Sequence, residues 1–312
     1  MGPNLDIRHL QMLAAIAREG NVTRAAETIG LTQSALTHRI REAERRLGSA
    51  LFTRVGKGLR ATPAGEMLTA VAERVLGELE RAEHDAVEIS VGVEHVVRIG
   101  IGTYTRYHWL PTFLASLRES APGLQVEVFA DAMQRPLEML LDGTIDVAIA
   151  ASGARPPGVA WIPLFTDELV AITPVEHRFA KRPYIDAEAL RDEVWISYAT
   201  KTEPGFESER FMRLARVWPK RFLRVELPEA IVELVRAGMG VSILSRWAVE
   251  PYLRAGTLAC TRLGEHGLDI DWFAAVRESD GQGSPAHRLA ASLADWCETS
   301  EGGFHMVAGM LD

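Results

Sequence analysis

Cysteine is almost missing from this chain: Cys260 and Cys297 are the only two in 312 residues. Two thiols so far apart exclude a disulfide framework and supply no closely spaced metal-ligand pair. No apolar run approaches the length of a bilayer span, and the N-terminus carries no signal-peptide core. The expectation is a soluble protein of a reducing cytoplasm, without membrane contact. Catalytic signatures are lacking too: there is no P-loop, no H-E-x-x-H, no G-x-S-x-G, and the nine histidines are scattered singly. In R-I-G-I-G-T-Y-T, Gly100 and Gly102 are followed by Thr105 where a dinucleotide fingerprint needs its third glycine. These absences predict no catalytic residues, no cofactor and no metal site, hence a binding protein rather than an enzyme.

What is present is a division of charge. The net charge is −8, yet residues 1–65 carry ten Lys/Arg against five Asp/Glu, and the remainder carries 24 against 37. A basic head on an acidic body is expected where one end alone meets phosphate. With 47% hydrophobic residues, a chain of this length has material for more than one core.

Within the head, Asn21–Leu47 predicts two short helices and a tight turn. Thr23 is placed to cap the first, with Ala25, Ala26 and Ile29 on one side and Gly30 at a left-handed exit. Leu31 would fill the angle, and Thr32 would cap the second helix. There, Leu36, Ile40, Ala43 and Leu47 form a buried stripe, leaving Gln33, Ser34, Thr37, His38 and Arg41 outward for base edges and phosphates. A helix over 5–19 is expected to support the pair by burying Leu10, Leu13, Ala14 and Ala17. After Gly48, two extended runs around Gly56–Gly58 predict a β-hairpin wing aiming Arg54, Lys57 and Arg60 at a backbone or minor groove. Thr62 and Pro63 then open a long helix to Ser90. Its Leu68, Val71, Val75, Leu79, Ala82, Ala86 and Ile89 recur every three or four residues, a stripe that a second copy would cover most simply.

The run AAETIGLTQSALTHRIREAERRLGSALFTR, followed by TPAG, resembles the winged helix-turn-helix of LysR-type transcriptional regulators over residues 5–65. The resemblance implies double-stranded DNA as partner. It places DNA-facing positions at Thr32, Gln33, Ser34, Thr37, His38 and Arg39, with Arg54 and Arg60 on the wing; Thr23 and Arg41 join them as candidates. It also implies homodimers through the linker helix, tetramers built from them, and contact with RNA polymerase.

From Val93 the texture changes to strands alternating with helices. Val97, Ile99 and Ile101 predict a strand, Leu110–Leu117 a helix, Val126 and Val128 a strand, Leu137–Leu141 a short helix and IDVAIA a third strand, in βαβ order with a parallel sheet. Strands at Phe165–Thr173 and Trp195–Tyr198, a helix over Pro228–Ala237, the strands in GMGVSIL and DWFAAVRE, and a helix over Leu289–Cys297 follow. The fold class is therefore α/β: a winged helix-turn-helix (1–62), a linker helix (63–92) and a two-lobed effector domain. Lobe I is expected at 93–164 with 266–300 and lobe II at 165–265, joined by crossover strands, with a tail at 301–312. The resemblance agrees, since the LysR-type effector domain is similar to periplasmic solute-binding proteins. A free-standing solute-binding protein would lack the basic head.

Loop hydroxyls and N–H groups near the first helix start make Thr103, Tyr104, Thr105 and Arg106 candidate effector contacts. Position in the family pattern adds Ala151 and Ser152; across the cleft stand Ser197, Tyr198, Thr200, Pro228 and Glu229. Within the family, HWLPTFL and LPEAIVELVRAGMGVSILSRWAV resemble the regulators of methionine biosynthesis, which implies homocysteine or a related effector. The alternative is another small carboxylate or aromatic metabolite on the same architecture.

Overall fold

In a computed structural model of the chain, the described residues are 3–55, 58–90, 93–102, 107–133, 135–151, 155–197, 206–225 and 227–299. They divide into two units, 1–91 and 92–312.

The first unit opens with α1 (Ile7–Glu19). Asp6 Oδ1 accepts the N–H groups of Arg8 and His9 at 3.0 and 3.3 Å, and His9 Nδ1 accepts the Asp6 N–H at 3.2 Å, which satisfies amides the helix leaves orphaned. The buried face is His9, Met12, Leu13, Ala15 and Ile16, and Ala17 is exposed. The expected face was therefore turned too far. Both sets fit a helical period, and the one with larger side chains, Met12 and Ile16, removes more apolar area from water. Helix α2 (Val22–Thr28) is capped by Asn21 rather than by Thr23: Asn21 Oδ1 accepts from the N–H of Thr23 at 2.8 Å and of Arg24 at 3.3 Å. Asn is at least as good a cap as Thr and stands earlier, which leaves Thr23 exposed inside the first turn.

Gly30, at φ +67°, turns the chain toward α3 (Gln33–Leu47), where Thr32 Oγ1 accepts the Ala35 N–H at 3.2 Å. The α3 stripe Leu36, Ile40 and Ala43 is buried with Met12, Leu13, Ile16, Ala25, Leu51 and Ala72 in one core. Strands β1 (Phe52–Val55) and β2 (Gly58–Ala61) pair antiparallel as the wing. Helix α4 (Pro63–Ser90) follows, its first turn held by Thr62 Oγ1, which accepts the Gly65 N–H at 3.1 Å.

The second unit begins with β3 (His95–Ile101), α5 (Leu110–Ser120), β4 (Leu124–Phe129), α6 (Pro136–Leu141) and β5 (Val147–Ala151). As expected for βαβ steps, β3 lies parallel to both β4 and β5. The long β6 (Val159–Thr173) then leaves this lobe. Lobe II holds β7 (Tyr184–Ile185), β8 (Val194–Ser197), β9 (Arg221–Arg224), α7 (Pro228–Arg236), β10 (Ser242–Ser245), α8 (Arg246–Arg254) and β11 (Ala259–Leu263). The return strand is β12 (Asp269–Arg277), and α9 (Pro285–Glu298) packs back on the first lobe.

Residues 159–168 of β6 run antiparallel to β12; from Leu169 onward β6 pairs with β10 and β11 instead. The chain thus changes sheets at Glu168–Leu169 and comes back between Leu263 and Asp269. The expected parallel sheet is corrected to a mixed one, because one outgoing and one returning crossover strand must oppose each other. The strand also starts at Val159, earlier than the Phe165 expected. Pro163 interrupts its sequence pattern but is taken up at a bulge, where Trp272 faces Phe165 and Phe273 faces Pro163.

Candidate nucleic-acid interface and effector site

Five of the α3 residues expected to face DNA share one outer face: Gln33, Ser34, His38 and Arg41 are exposed at spacings of one, four and three, with Thr37 half-buried among them. Arg39 does not join them: two residues from Thr37, it is half-buried on the other side of the helix, flanking the Leu36–Ile40–Ala43 stripe. Helix chemistry occupies some of the hydroxyls: Thr37 Oγ donates to the Gln33 carbonyl at 2.9 Å, and Thr32 Oγ lies 3.0 Å from Ser34 Oγ. Gln33, Ser34 and His38 thus lie exposed over the first two turns of α3, and the exposed Arg41 adds positive charge one turn on.

The wing is less uniform than its charge suggested. Arg54 pairs with Leu59, and Thr53 with Arg60. Opposite residues share a face and neighbours alternate, so exposed Arg54 and Arg60 flank the ribbon on opposite faces instead of forming one patch. Lys57 lies outside the described residues.

In the second unit, Thr103, Tyr104, Thr105, Arg106, Ser152, Tyr198 and Thr200 lie outside the described residues, and so does the 301–312 tail. The elements leading to them are defined. β3 and β5 end side by side, with the Gly102 N–H donating to the Ile149 carbonyl at 2.8 Å, and half-buried Ala151 closes β5 opposite Trp272. Carboxyl ends of parallel strands are where such sheets bind ligands. In lobe II, Ser197 ends β8 and its carbonyl accepts the Val225 N–H at 2.8 Å. Buried Pro228 opens α7, with half-buried Glu229 behind it.

One electrostatic link joins the two lobes. Burial pushes the Tyr107 phenol above its usual range, and the nearby Glu229 carboxylate pushes it the same way. Tyr107 belongs to lobe I and Glu229 to the start of α7 in lobe II, so the two lobes interact electrostatically at this point.

The sequence reading missed an aromatic cluster at this junction. Trp247 of α8 lies 5.5 Å from Trp109 and 5.8 Å from His108, both of lobe I, measured between ring centroids. It also lies 4.8 Å from Phe165 and 5.7 Å from Trp272, which belong to the two crossover strands. Asp167 holds the base of α8, accepting from Ser245 Oγ and from the Trp247 N–H at 3.1 Å. Burial raises the Asp167 carboxyl above its usual range despite those hydrogen bonds and nearby Arg246. The available signal was compositional: four of the seven tryptophans, at 109, 247, 272 and 296, meet here. Cys297 is buried next to them, its thiol pushed up to about 12 by desolvation, consistent with a core role. Among the described residues there is no cluster of three metal-ligating side chains and no helix long and apolar enough to cross a membrane.

Comparison with known proteins agrees with both halves. Residues 7–66 match the bacterial regulatory helix-turn-helix protein, lysR family, and residues 91–298 match the LysR substrate binding domain. The transcriptional regulator MetR of Haemophilus influenzae is 30% identical over 276 residues, covering 88% of this chain and 89% of that protein. Full-length CbnR complexed with its target DNA shares the fold with a TM-score of 0.70 at 22% identity, over 94% of this chain and 99% of that one. The regulatory domain of MetR from N. meningitidis aligns with a TM-score of 0.59 at 24% identity, over 69% of this chain and 99% of that domain. With a helix-turn-helix, a linker helix and an α/β effector-binding domain all in place, this chain belongs to the LysR family of DNA-binding transcriptional regulators.

Proposed function

We propose that this regulator reads DNA through the outer face of α3, flanked by the wing arginines, and answers to a small metabolite held between its effector lobes without turning that metabolite over. The observation that carries the first half is the exposed set Gln33, Ser34, His38 and Arg41 on a basic head attached to an acidic body. The second half rests on Trp247 of α8 packing against Trp109 and His108 of lobe I, where the Glu229 carboxylate also acts on the Tyr107 phenol across the lobes. The likeness to MetR supports homocysteine or a related metabolite as effector, as the resemblance of HWLPTFL and LPEAIVELVRAGMGVSILSRWAV to the regulators of methionine biosynthesis implies. Along α4, Leu79, Val87 and Ile89 are 43%, 62% and 54% exposed, which supports a dimer through this helix. Two such dimers would form a tetramer whose geometry on DNA responds to the effector and presents the complex to RNA polymerase.

The test is to recover bound fragments from the host genome and then titrate the protein on one such duplex. Affinity is expected to fall on the order of a thousandfold or more between about 50 and 200 mM salt, as release of counterions from six or more phosphates requires. L-homocysteine is expected to bind in calorimetry and to shift that affinity. A flat salt response would count against the DNA reading. Absent homocysteine binding on a protein that still binds the duplex would remove only the effector.

A further inference from the structure

The exit from α3 is organised by one side chain near its C-terminal end. Glu44 is half-buried, and its backbone carbonyl accepts the N–H groups of Gly48 and of Ser49, the latter at 3.2 Å. Its carboxylate Oε1 accepts two more, from Leu51 at 2.8 Å and Phe52 at 3.2 Å, at the root of β1. The same short segment is gripped from its other side by the start of α4. The Leu51 carbonyl accepts the Thr62 N–H at 2.9 Å, and the Thr62 hydroxyl lies 2.8 Å from the Ala50 carbonyl and 3.2 Å from that of Leu51. Gly65 presses so close that a Cβ there would sit 2.1 Å from the Leu51 oxygen, while the Leu51 side chain is fully buried.

We infer that Glu44 is a positioning residue for DNA recognition: by holding the first amides of the wing, it sets where Arg54 and Arg60 stand relative to Gln33 and Ser34. The inference rests on the DNA reading above. An isolated two-stranded ribbon is marginal in water, so the wing takes its direction from its root, and Glu44 is the link between that root and α3. Thr62 and Gly65 bind the same root to α4. A tilt of α4 therefore carries Leu51 with it, and through Glu44 changes the angle between wing and recognition helix. That is a short mechanical route from the linker helix to the DNA-reading face.

The experiment uses the full-length protein and a recovered operator duplex, with affinity measured by fluorescence anisotropy across a salt series. Glu44→Ala is expected to lose as much affinity, and as much salt slope, as the double variant Arg54→Ala/Arg60→Ala, at about one unit of slope per lost phosphate contact. Adding Glu44→Ala to that double variant should cost nothing more, while adding Gln33→Ala should add its full effect. Glu44→Gln keeps Oε1 as an acceptor and should restore both affinity and slope. An unchanged slope in Glu44→Ala, or full additivity with the wing variants, would overturn the assignment and leave Glu44 a stabilising residue only. If Glu44→Ala does not unfold cooperatively, Glu44→Asp, one methylene too short to reach both amides, carries the same comparison. A wild type that ignores the duplex would defeat the DNA reading and this assignment together; wild-type binding with an unaltered Glu44→Ala slope defeats the assignment alone.

Discussion

The two units are held together over very different distances along the chain. In the first, most of the capping contacts are local: Asp6 with His9, Asn21 with Thr23, Thr32 with Ala35, Glu44 with Leu51 and Thr62 with Gly65, while Arg46, donating to the Asn4 carbonyl at 3.2 Å, is a longer tie between α3 and the start of the chain. In the second, the joining contacts are long-range. Asp167 meets Ser245, Thr166 meets Asp271 at 2.8 Å, and Arg277 meets Asp146 at 2.9 Å. Trp109 stacks near Trp247 and Trp296. Local contacts close small loops at little entropic cost and let a small helical head form with a modest core; long-range ones need the lobes in place before they contribute. The head can accordingly serve as a rigid reader, while the lobes are joined through a few crossover residues that a ligand could bias.

The strongest way to break that contrast is Trp272→Ala. Its ring is wholly buried between Trp247 and Phe165, so the second unit should lose about 4 kcal/mol. Calorimetry should show the transition of the second unit falling while that of the first holds; equal shifts would mean the units do not unfold separately. Next comes Gly65→Ala in the first unit. Alanine ordinarily gains about 1 kcal/mol over glycine inside a helix, but the Leu51 carbonyl leaves no room, so a net loss of about 2 kcal/mol is expected in denaturant unfolding. A more stable variant would show that α4 yields at this contact.

A smaller effect sharpens the comparison from the lobe junction. Burial raises the folded-state pKa of Asp167 above its unfolded value, so its proton is held more tightly in the folded protein. The stability associated with this proton is fully present below the ordinary carboxylate range and is lost as pH rises through the raised value. Asp167→Asn keeps an acceptor for Trp247 and cannot ionise, so its melting temperature should exceed the wild type's at pH 7, with the gap closing as pH falls below that range. The smallest stability effect belongs to Leu79→Arg on the exposed α4 stripe, within about 0.5 kcal/mol for the dilute protomer. Sedimentation should nevertheless show dimers lost; persistent dimers would move the interface elsewhere.

The same division explains what could be read ahead of the structure. The α3 stripe, the turns at Gly30 and Gly48, the wing strands, the Thr62 cap and the parallel trio β3, β4 and β5 each follow from neighbours in sequence, and each is present. Where two local solutions competed, the local rule was insufficient. Asn21 and Thr23 both suit a cap, and the earlier Asn21 took it; α1 offers two faces of the same period, and burial in the core of the first unit chose between them. The extent of β6, the strand β11, the helix α8 despite its Pro251, and the meeting of Trp109 with Trp247 had no local signature.

Periodicity and charge, which are properties of adjacent residues, already determined that this protein has a basic helix-turn-helix head and an α/β body. Tertiary packing alone decided three things: which face of α1 turned inward, how β6 runs from one lobe into the other with β12 antiparallel to its first half, and that Trp247 of α8 meets Trp109 of lobe I. The physical reason is that helix period and charge are set within a few residues, whereas contacts between distant segments are chosen by competition for the same buried volume.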